Sequence, residues 1–458
     1  MEREEIRLIL DNQKRFFETG KSLDIRFRIN VLKRIKSLIT KHEQDIKDAL
    51  WKDFHKPACE VISSETRFVI KELNLANRKL RTWAKPKRVR TPLIHFIAKS
   101  YISPQPYGQV LVLSPWNFPF QLSFIPVISA LAAGNCVVLK MSQRVPYTCN
   151  VIKKIADNFS KDHFAVISGD HSISDYLLDY NFDYIFFTGS SNIGRYVMGK
   201  AALHLTPITL ELGGKSPCIV TADARLNYTV KRIAWGKFYN AGQTCVAPDY
   251  VLIDRKIKDR FLDLISKEIR TFYGDDPEQS DDLPRVIDNK SAARLASLMT
   301  TGTIVTGGKT DHGTRFVSPT VIKDIKADDP IMKGEIFGPV LPVMDYENLS
   351  EVYDIIDRNP NPLAAYIFTR NKKNAREFLA KVKCGSAAIN DTVVQFATPY
   401  LPFGGVGTSG MGRYHGKKSF ETFSNMRAVM VKSNLIDFFV RYPPYTKFKE
   451  KVFKWVMR

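Results

Sequence analysis

The sequence has no long uninterrupted apolar run, no Cys-x-x-Cys pair and no Gly-x-Gly-x-x-Gly turn after the short apolar runs between 110 and 187. Its most apolar stretch, Phe118 to Leu139, is broken by Gln121, Pro126, Gly134 and Asn135. It therefore reads as a buried helix followed by a strand, not as a membrane span. Six cysteines at scattered spacings in 458 residues make neither a disulfide framework nor a zinc-binding pair. A reducing cytoplasm and no metal site are the expectation. Met1-Glu2-Arg3-Glu4-Glu5 is charged and leads into an amphipathic pattern, which gives no sign of a secretory leader. Repeats and low-complexity tracts are missing too. Acidic residues are scarce: 47 Asp and Glu against 68 Lys and Arg leave a formal charge of +21. Such an excess favours anionic partners. The basic residues are spread along the chain, however, without an arginine-rich arm or a nucleic-acid-binding motif. A solvated basic surface and no nucleic-acid partner are expected.

What is present is an α/β texture long enough for two or three domains. Residues 1 to about 85 alternate apolar and charged positions at helical spacing, with Ile25, Ile29, Leu32 and Ile35 on one face and a second such segment from Thr66 to Trp83. A basic, proline-containing connection (85–92) leads to an extended ribbon near 100–108. From Val110 short apolar runs alternate with helix-length segments: 110–113, 136–140, 164–167 and 184–187. Parallel sheets bury such runs on both faces, which predicts a doubly wound nucleotide-binding sheet with ligands at the carboxyl ends of its strands. Thr188-Gly189-Ser190-Ser191-Asn192-Ile193-Gly194 follows the last run as a turn opening a helix, and its amides suit a phosphate. A second α/β run extends from about 207 to 400, before a glycine-dense loop at 401–412.

Three residues stand where reactive groups are needed. Cys245 lies in a turn of small and polar residues, Asn240-Ala241-Gly242-Gln243-Thr244-Cys245, where a substrate can reach a thiol. Glu211 ends an otherwise apolar strand, where burial raises a carboxyl towards the range of a general base. Asn117 follows a strand end between Trp116 and Phe118 and can donate to an oxyanion without titrating. Each alone has a bland reading as buried cysteine, capping glutamate or turn asparagine.

The ordered set Pro-Trp-Asn-Phe-Pro, Gly-Asn-x-Val-Val-Leu-Lys, Phe-Thr-Gly-Ser, Leu-Glu-Leu-Gly-Gly-Lys, Gly-Gln-Thr-Cys, Glu-Ile-Phe-Gly-Pro and Pro-Phe-Gly-Gly-x-Gly, spanning about 110–425, resembles the aldehyde dehydrogenase superfamily. The short region before the Trp-Asn motif, the run from Asn240 to Tyr250 and Gly410-Met411-Gly412-Arg413-Tyr414-His415-Gly416 resemble its class 3 branch of fatty- and aromatic-aldehyde enzymes. The resemblance implies NAD(P)-dependent oxidation of an aldehyde to its acid. Cys245 would be the nucleophile, Asn117 with the Cys245 amide the oxyanion hole, and Glu211 the base that activates water. Lys140 would bind the adenosine ribose, Gly189, Ser190 and their helix the pyrophosphate, and Glu335 and Phe337 the nicotinamide ribose and ring. Trp116, Gln143, Gly194 and Gly213 complete the expected cofactor set. Lys140-Met141-Ser142-Gln143 departs from the family's Lys-Pro-Ser-Glu. The neutral Gln143 keeps ribose hydrogen bonds and removes repulsion of a 2′-phosphate, so NADP is expected to be tolerated beside NAD.

The resemblance also implies a homodimer and a division of the chain. Residues 1–85 and 109–208 would bind the cofactor, 209–400 would be catalytic, 86–108 and 401–430 would bridge, and 431–458 would be a basic amphipathic tail. In that tail Phe448, Val452, Trp455 and Val456 alternate with Lys447, Lys449, Lys451 and Lys454. It is predicted either to pack on its own dimer or to lie on an acidic bilayer. The charge, the tail and the class 3 likeness tilt the expected substrate towards lipophilic aldehydes. Three other readings stand beside this one: an acylating, coenzyme A-dependent dehydrogenase, disfavoured by Glu211; a cysteine hydrolase, which needs a histidine near the thiol; and a non-enzymatic basic surface-binding protein.

Overall fold

The computed structural model describes residues 2–457, so Met1 and Arg458, at the two ends of the segments read above, lie outside the described residues. Four N-terminal helices, Arg3–Glu18, Ile25–Lys41, Glu43–Phe54 and Arg67–Trp83, open the chain. Asp24 starts the second by accepting from the Arg26 and Phe27 amides, and Ile29, Leu32 and Ile35 turn inward as their spacing requires. Strands β1 (Lys87–Val89) and β2 (Ala98–Pro106) then form an antiparallel ribbon.

Strands β3 (Gln109–Leu113), β4 (Cys136–Lys140), β5 (Phe164–Ile167), β6 (Tyr184–Thr188) and β7 (Ile208–Glu211) make a parallel sheet in the order β7-β6-β3-β4-β5. The chain starts at β3, winds outward to β5, then returns to the other side through β6. That places a topological switch point between the carboxyl ends of β3 and β6. Every residue of β3, β4 and β5 is buried, which is why they read as continuous apolar runs. Helices Ile25–Lys41, Arg67–Trp83 and Gln121–Ala133 cover one face. Helices Arg3–Glu18, His171–Asp179 and Ser191–Leu203 cover the other.

A second sheet contains β8 (Pro217–Val220), β9 (Tyr250–Asp254), β10 (Thr303–Thr306), β13 (Thr320–Lys323), β14 (Val340–Tyr346), β15 (Ala364–Phe368) and β16 (Ser386–Ile389), with the small hairpin β11 (Thr310–Asp311) and β12 (Phe316–Val317) outside it. Its order is β10-β13-β14-β9-β8-β15-β16, parallel except for β10. Near the C-terminus β17 (Gly410–Met411) runs antiparallel to β7, and β18 (Ser424–Lys432) pairs with β2 along nine residues.

The expected boundaries move in two places. A catalytic domain beginning at 209 cuts through β7, whose ladder to β6 belongs to the first sheet, so the crossing falls between Glu211 and Pro217. The bridging segment 401–430 gives β17 to the first sheet, and β18 runs on to Lys432, past the expected start of the tail. The tail helix Lys447–Val456 packs on the turn Phe439–Arg441. Lys449 is buried there, and its ammonium donates to the Tyr442 carbonyl at 2.7 Å. Among the described residues no helix is long and apolar enough to cross a membrane.

Candidate active site

Loops from both sheets enclose a cavity of about 270 Å³ at the switch point. The β3 end supplies Pro115, Trp116, Asn117 and Phe118, the β6 end supplies Thr188, Gly189 and Ser190, and the β7 end supplies Glu211, Leu212 and Gly213. Cys245 with its neighbours Thr244 and Val246, and Glu335 with Phe337, come from the second sheet's loops. Leu122, Leu363, Phe396, Phe403 and Tyr414 add apolar wall. Nine of the twelve residues expected at the site thus share one cavity.

The turn before Cys245 is unusual backbone. Asn240, Ala241 and Gly242 all have positive φ, 54°, 51° and 70°. Only glycine fits the last, since a Cβ there would meet the Gly338 carbonyl at 2.3 Å. Hydrogen bonds hold the turn against this strain. Asn117 Nδ2 and Asn240 Nδ2 each donate to the Gln243 carbonyl at 3.1 Å, and Asn240 Nδ2 also donates to the Asn117 carbonyl at 2.9 Å. Gln243 bonds onward to the Arg285 carbonyl and the Ile287 amide. The asparagine loop and the cysteine loop are therefore registered against each other, and Asn117 keeps its second N–H for another acceptor.

Cys245 is partly accessible from the cavity. Burial pushes its thiol up, helped by the Glu335 and Glu211 carboxylates, while the backbone amides of Cys245 and Val246 pull it down. Cys136 and Cys149 are pushed up to about 12 and Cys384 to about 11 by burial, Cys59 is exposed, and neither these nor Cys218 lines the cavity. Glu211 is buried with neither oxygen hydrogen-bonded among the described residues, and burial raises its carboxyl well above the usual range. Glu335 is raised to about 8, by burial first and then by Asp249, against the Gly214 amide and the Lys215 and Lys237 ammonium groups. Its loop is pinned by the buried pair of Lys215 and Asp249 at 2.5 Å: Lys215 also donates to the Ile331 and Gly334 carbonyls, and Asp249 accepts from the Ile336 amide. Phe337 stands edge-on to Trp116, with ring centroids 5.4 Å apart.

Three expected cofactor residues lie outside the cavity. Gly194 faces Leu212 so closely that a Cβ would sit 2.6 Å from Leu212 Cδ2, so the helix packs closely on the strand there. Lys140 is buried at the carboxyl end of β4, and Gln143 is exposed in the loop after it. Conversely, sequence reasoning missed Lys56, Glu60 and Glu65. Lys56 and Glu65 form a buried ion pair at 2.6 Å. Glu65 Oε2 accepts from the Phe120 and Gln121 amides at 3.1 and 2.8 Å, and Glu60 Oε2 accepts from the Asn240 amide at 3.0 Å. One buried group thus holds both the asparagine loop and the cysteine loop. The only signal was three charged residues beside an apolar segment, and they act together because Val61–Thr66 is π-helical.

A doubly wound sheet with a helix N-terminus, a thiol and two buried carboxyls at its switch point defines an α/β enzyme of the dinucleotide-dependent type. The chain belongs to the aldehyde dehydrogenase family, whose model matches residues 1–429. It is 43% identical over 442 residues to 4,4'-diaponeurosporen-aldehyde dehydrogenase of Staphylococcus aureus (strain NCTC 8325 / PS 47), covering 96% of each chain. It is 41% identical to aldehyde dehydrogenase family 3 member B1 of Rattus norvegicus, covering 95% of this chain and 94% of that one. Among solved structures it is similar to Staphylococcus aureus AldH in a substrate-bound state, with a TM-score of 0.97, 41% identity and 99% of both chains covered. A Methanocaldococcus jannaschii glyceraldehyde-3-phosphate dehydrogenase complexed with NADP is similar at a TM-score of 0.85 and 27% identity, covering 94% of this chain and 95% of that one. An indole-3-acetaldehyde dehydrogenase complexed with NAD+ matches at 0.85 and 26%, covering 94% and 89%. The protein is an aldehyde dehydrogenase, and the class 3 likeness read from its motifs agrees with its family 3 relatives.

Proposed function

We propose that the enzyme oxidises lipophilic aldehydes to their acids through a thioester on Cys245. The observation that carries this reading is the convergence of Cys245, Asn117 and Glu211, from three separate parts of the chain, on one mostly apolar cavity. NAD or NADP serves as the oxidant, and when bound it accepts the hydride. The residues present fit such a group. The helix Ser191–Leu203 begins at the switch point with Ser190 making no side-chain cap, so its first amides are free for a pyrophosphate. Gly213 gives room that a side chain would take from Glu335, since a Cβ there would lie 2.1 Å from Oε2. Glu335 and the paired rings of Phe337 and Trp116 line the far wall. Lys140 and Gln143, beside the same strand ends, are assigned to the adenosine ribose on resemblance.

The sulfur of Cys245 adds to the aldehyde carbon once the thiol has lost its proton, and the carbonyl oxygen becomes an oxyanion. The free N–H of Asn117 and the Cys245 amide hold that charge, an effect worth about 3 kcal/mol per donor. Loss of hydride from the same carbon leaves the thioester. Glu211 then takes a proton from water as its oxygen attacks the thioester carbon, the acid leaves, and Cys245 recovers its proton. No histidine lines the cavity among the described residues, which removes the base a cysteine hydrolase would need. The walls formed by Phe118, Leu122, Phe396 and Phe403 favour an apolar chain. The diaponeurosporenal and family 3 relatives support the same preference.

Mixing the protein with NAD and aldehydes of increasing chain length, while following absorbance at about 340 nm with Cys245→Ala as control, tests the reading. Turnover that rises with chain length and vanishes in the variant is expected; turnover that survives in Cys245→Ala sinks the thioester route. A homodimer formed through the β2–β18 ribbon and a cytoplasmic setting with peripheral bilayer contact complete the proposal. Support comes from six free cysteines and from the exposed Phe448 and Trp455 in a lysine-rich tail.

A further inference from the structure

We infer that Arg413 is a positioning residue for Glu211, its guanidinium standing across the space at Gly404 from that carboxyl and favouring the carboxylate form. The inference rests on the reading of Glu211 as general base. Strand β17 pairs with β7 so that Gly410 lies opposite Glu211, three residues before Arg413. The guanidinium is fixed by its own loop: Nη1 donates to the Gly405 carbonyl and, at 2.9 Å, to the Gly412 carbonyl. Thr422 Oγ1 donates to the Arg413 carbonyl and ties the loop to the helix Gly416–Thr422. A Cβ on Gly404 would lie 2.9 Å from Glu211 Oε1 and 3.0 Å from Arg413 Nη1. Carboxylate and guanidinium therefore flank the same small space, which glycine leaves open.

The other titratable groups that face Glu211 are Cys245, Tyr184 from β6 and Tyr414 beside Arg413. Burial raises all three, so all are neutral at physiological pH, and Arg413 is the cation that offsets the burial of Glu211. Burial raises the carboxyl and the charge of Arg413 opposes that rise, so removal of the charge leaves more of it protonated, and a protonated carboxyl cannot take a proton from water. Arg413 itself is half-buried and borders an outer groove with Lys418 and Glu421, so its own charge stays hydrated.

p-Nitrophenyl acetate, which acylates a thiol without cofactor, separates the steps: the nitrophenolate burst reports acylation and the steady phase reports hydrolysis. In Arg413→Met the steady rate at about pH 6 is expected to fall roughly tenfold below wild type and to approach it at about pH 9, and Arg413→Lys should restore the wild-type profile. An unchanged melting temperature and NADH fluorescence titration would show that fold and cofactor site persist. Should Arg413→Met misfold, Arg413→Gln carries the same comparison. A profile that follows wild type in the uncharged variant overturns the inference. Glu211→Gln tells the two ideas apart. If it hydrolyses the acyl-enzyme at the wild-type rate, the base reading falls and the inference with it. If its steady phase is lost while the uncharged Arg413 variant matches wild type, the inference alone falls.

Discussion

The Glu60 carboxylate accepts the backbone N–H of Asn240 at 3.0 Å, across 180 residues of sequence. Asn240 is the first of three left-handed residues that present Cys245, so an N-terminal helical segment helps set the geometry of the nucleophile. Burial raises Glu60 to about 8, against Lys56 and the Asn240 amide, and the protonated carboxyl can still accept that bond.

Glu60→Ala leaves a buried amide unpaired, a cost of about 1–3 kcal/mol. Part of that cost should appear as slower alkylation of Cys245 by iodoacetamide, with NADH binding retained. Glu60→Gln, which keeps the acceptor, should react at the wild-type rate. The pH dependence gives an independent readout. Between 4.5 and about 8 the folded protein binds a proton that the unfolded chain has released, so the Glu60 contribution to stability falls as pH rises through that window. The melting temperature of Glu60→Gln should accordingly decline less between those pH values than that of wild type. Equal slopes would contradict the assignment.

Cys245→Ser should bind NADH as wild type does and lose dehydrogenase turnover. Asn117→Ala should lower kcat about 100- to 1000-fold, as loss of one oxyanion donor does elsewhere. Its loss will also include the Gln243 contact, so the double variant with Asn240→Ala separates loop register from charge stabilisation. Steady-state kinetics with a matched fluorescence titration checks both.

Gly213→Ala puts a Cβ 2.1 Å from Glu335 Oε2 and must displace that carboxylate. The backbone at Gly213 is not left-handed, so the effect is steric and local. Cofactor affinity should drop while the nitrophenolate burst on Cys245 survives. Loss of both together would mean that the whole cavity had shifted.

Gln143→Glu should restore discrimination against NADP. The ratio of kcat/KM for NAD to that for NADP is expected to rise roughly tenfold or more, through repulsion of the 2′-phosphate. If wild type already rejects NADP as firmly as the variant does, Gln143 plays no part in cofactor choice.

Residues 1–444 keep β18, which ends at Lys432, and lose the helix Lys447–Val456. On vesicles with acidic headgroups the full-length protein should float and the truncated protein should not, in a salt-dependent way. Identical behaviour of the two would favour a tail that serves only its own dimer.

The sequence by itself determined the strands of the first sheet, because strands buried on both faces must be apolar throughout, and β3, β4, β5 and β6 appear where those runs stand. It also exposed Cys245, Asn117 and Glu211, since polar groups at the ends of apolar runs are rare without a task. Tertiary structure decided what the spacing of residues along the chain cannot carry. Glu211 belongs to the first sheet because β7 adds to β6, although its sequence neighbours from Pro217 onward build the second. Gly194, with the spacing of a phosphate-loop glycine, lies where a Cβ would meet Leu212, a proximity set only by which way the helix faces. Glu60 met the cysteine turn across 180 residues, and Glu65, paired with Lys56, met the asparagine loop, where charge is tolerated only because the fold supplies its partner.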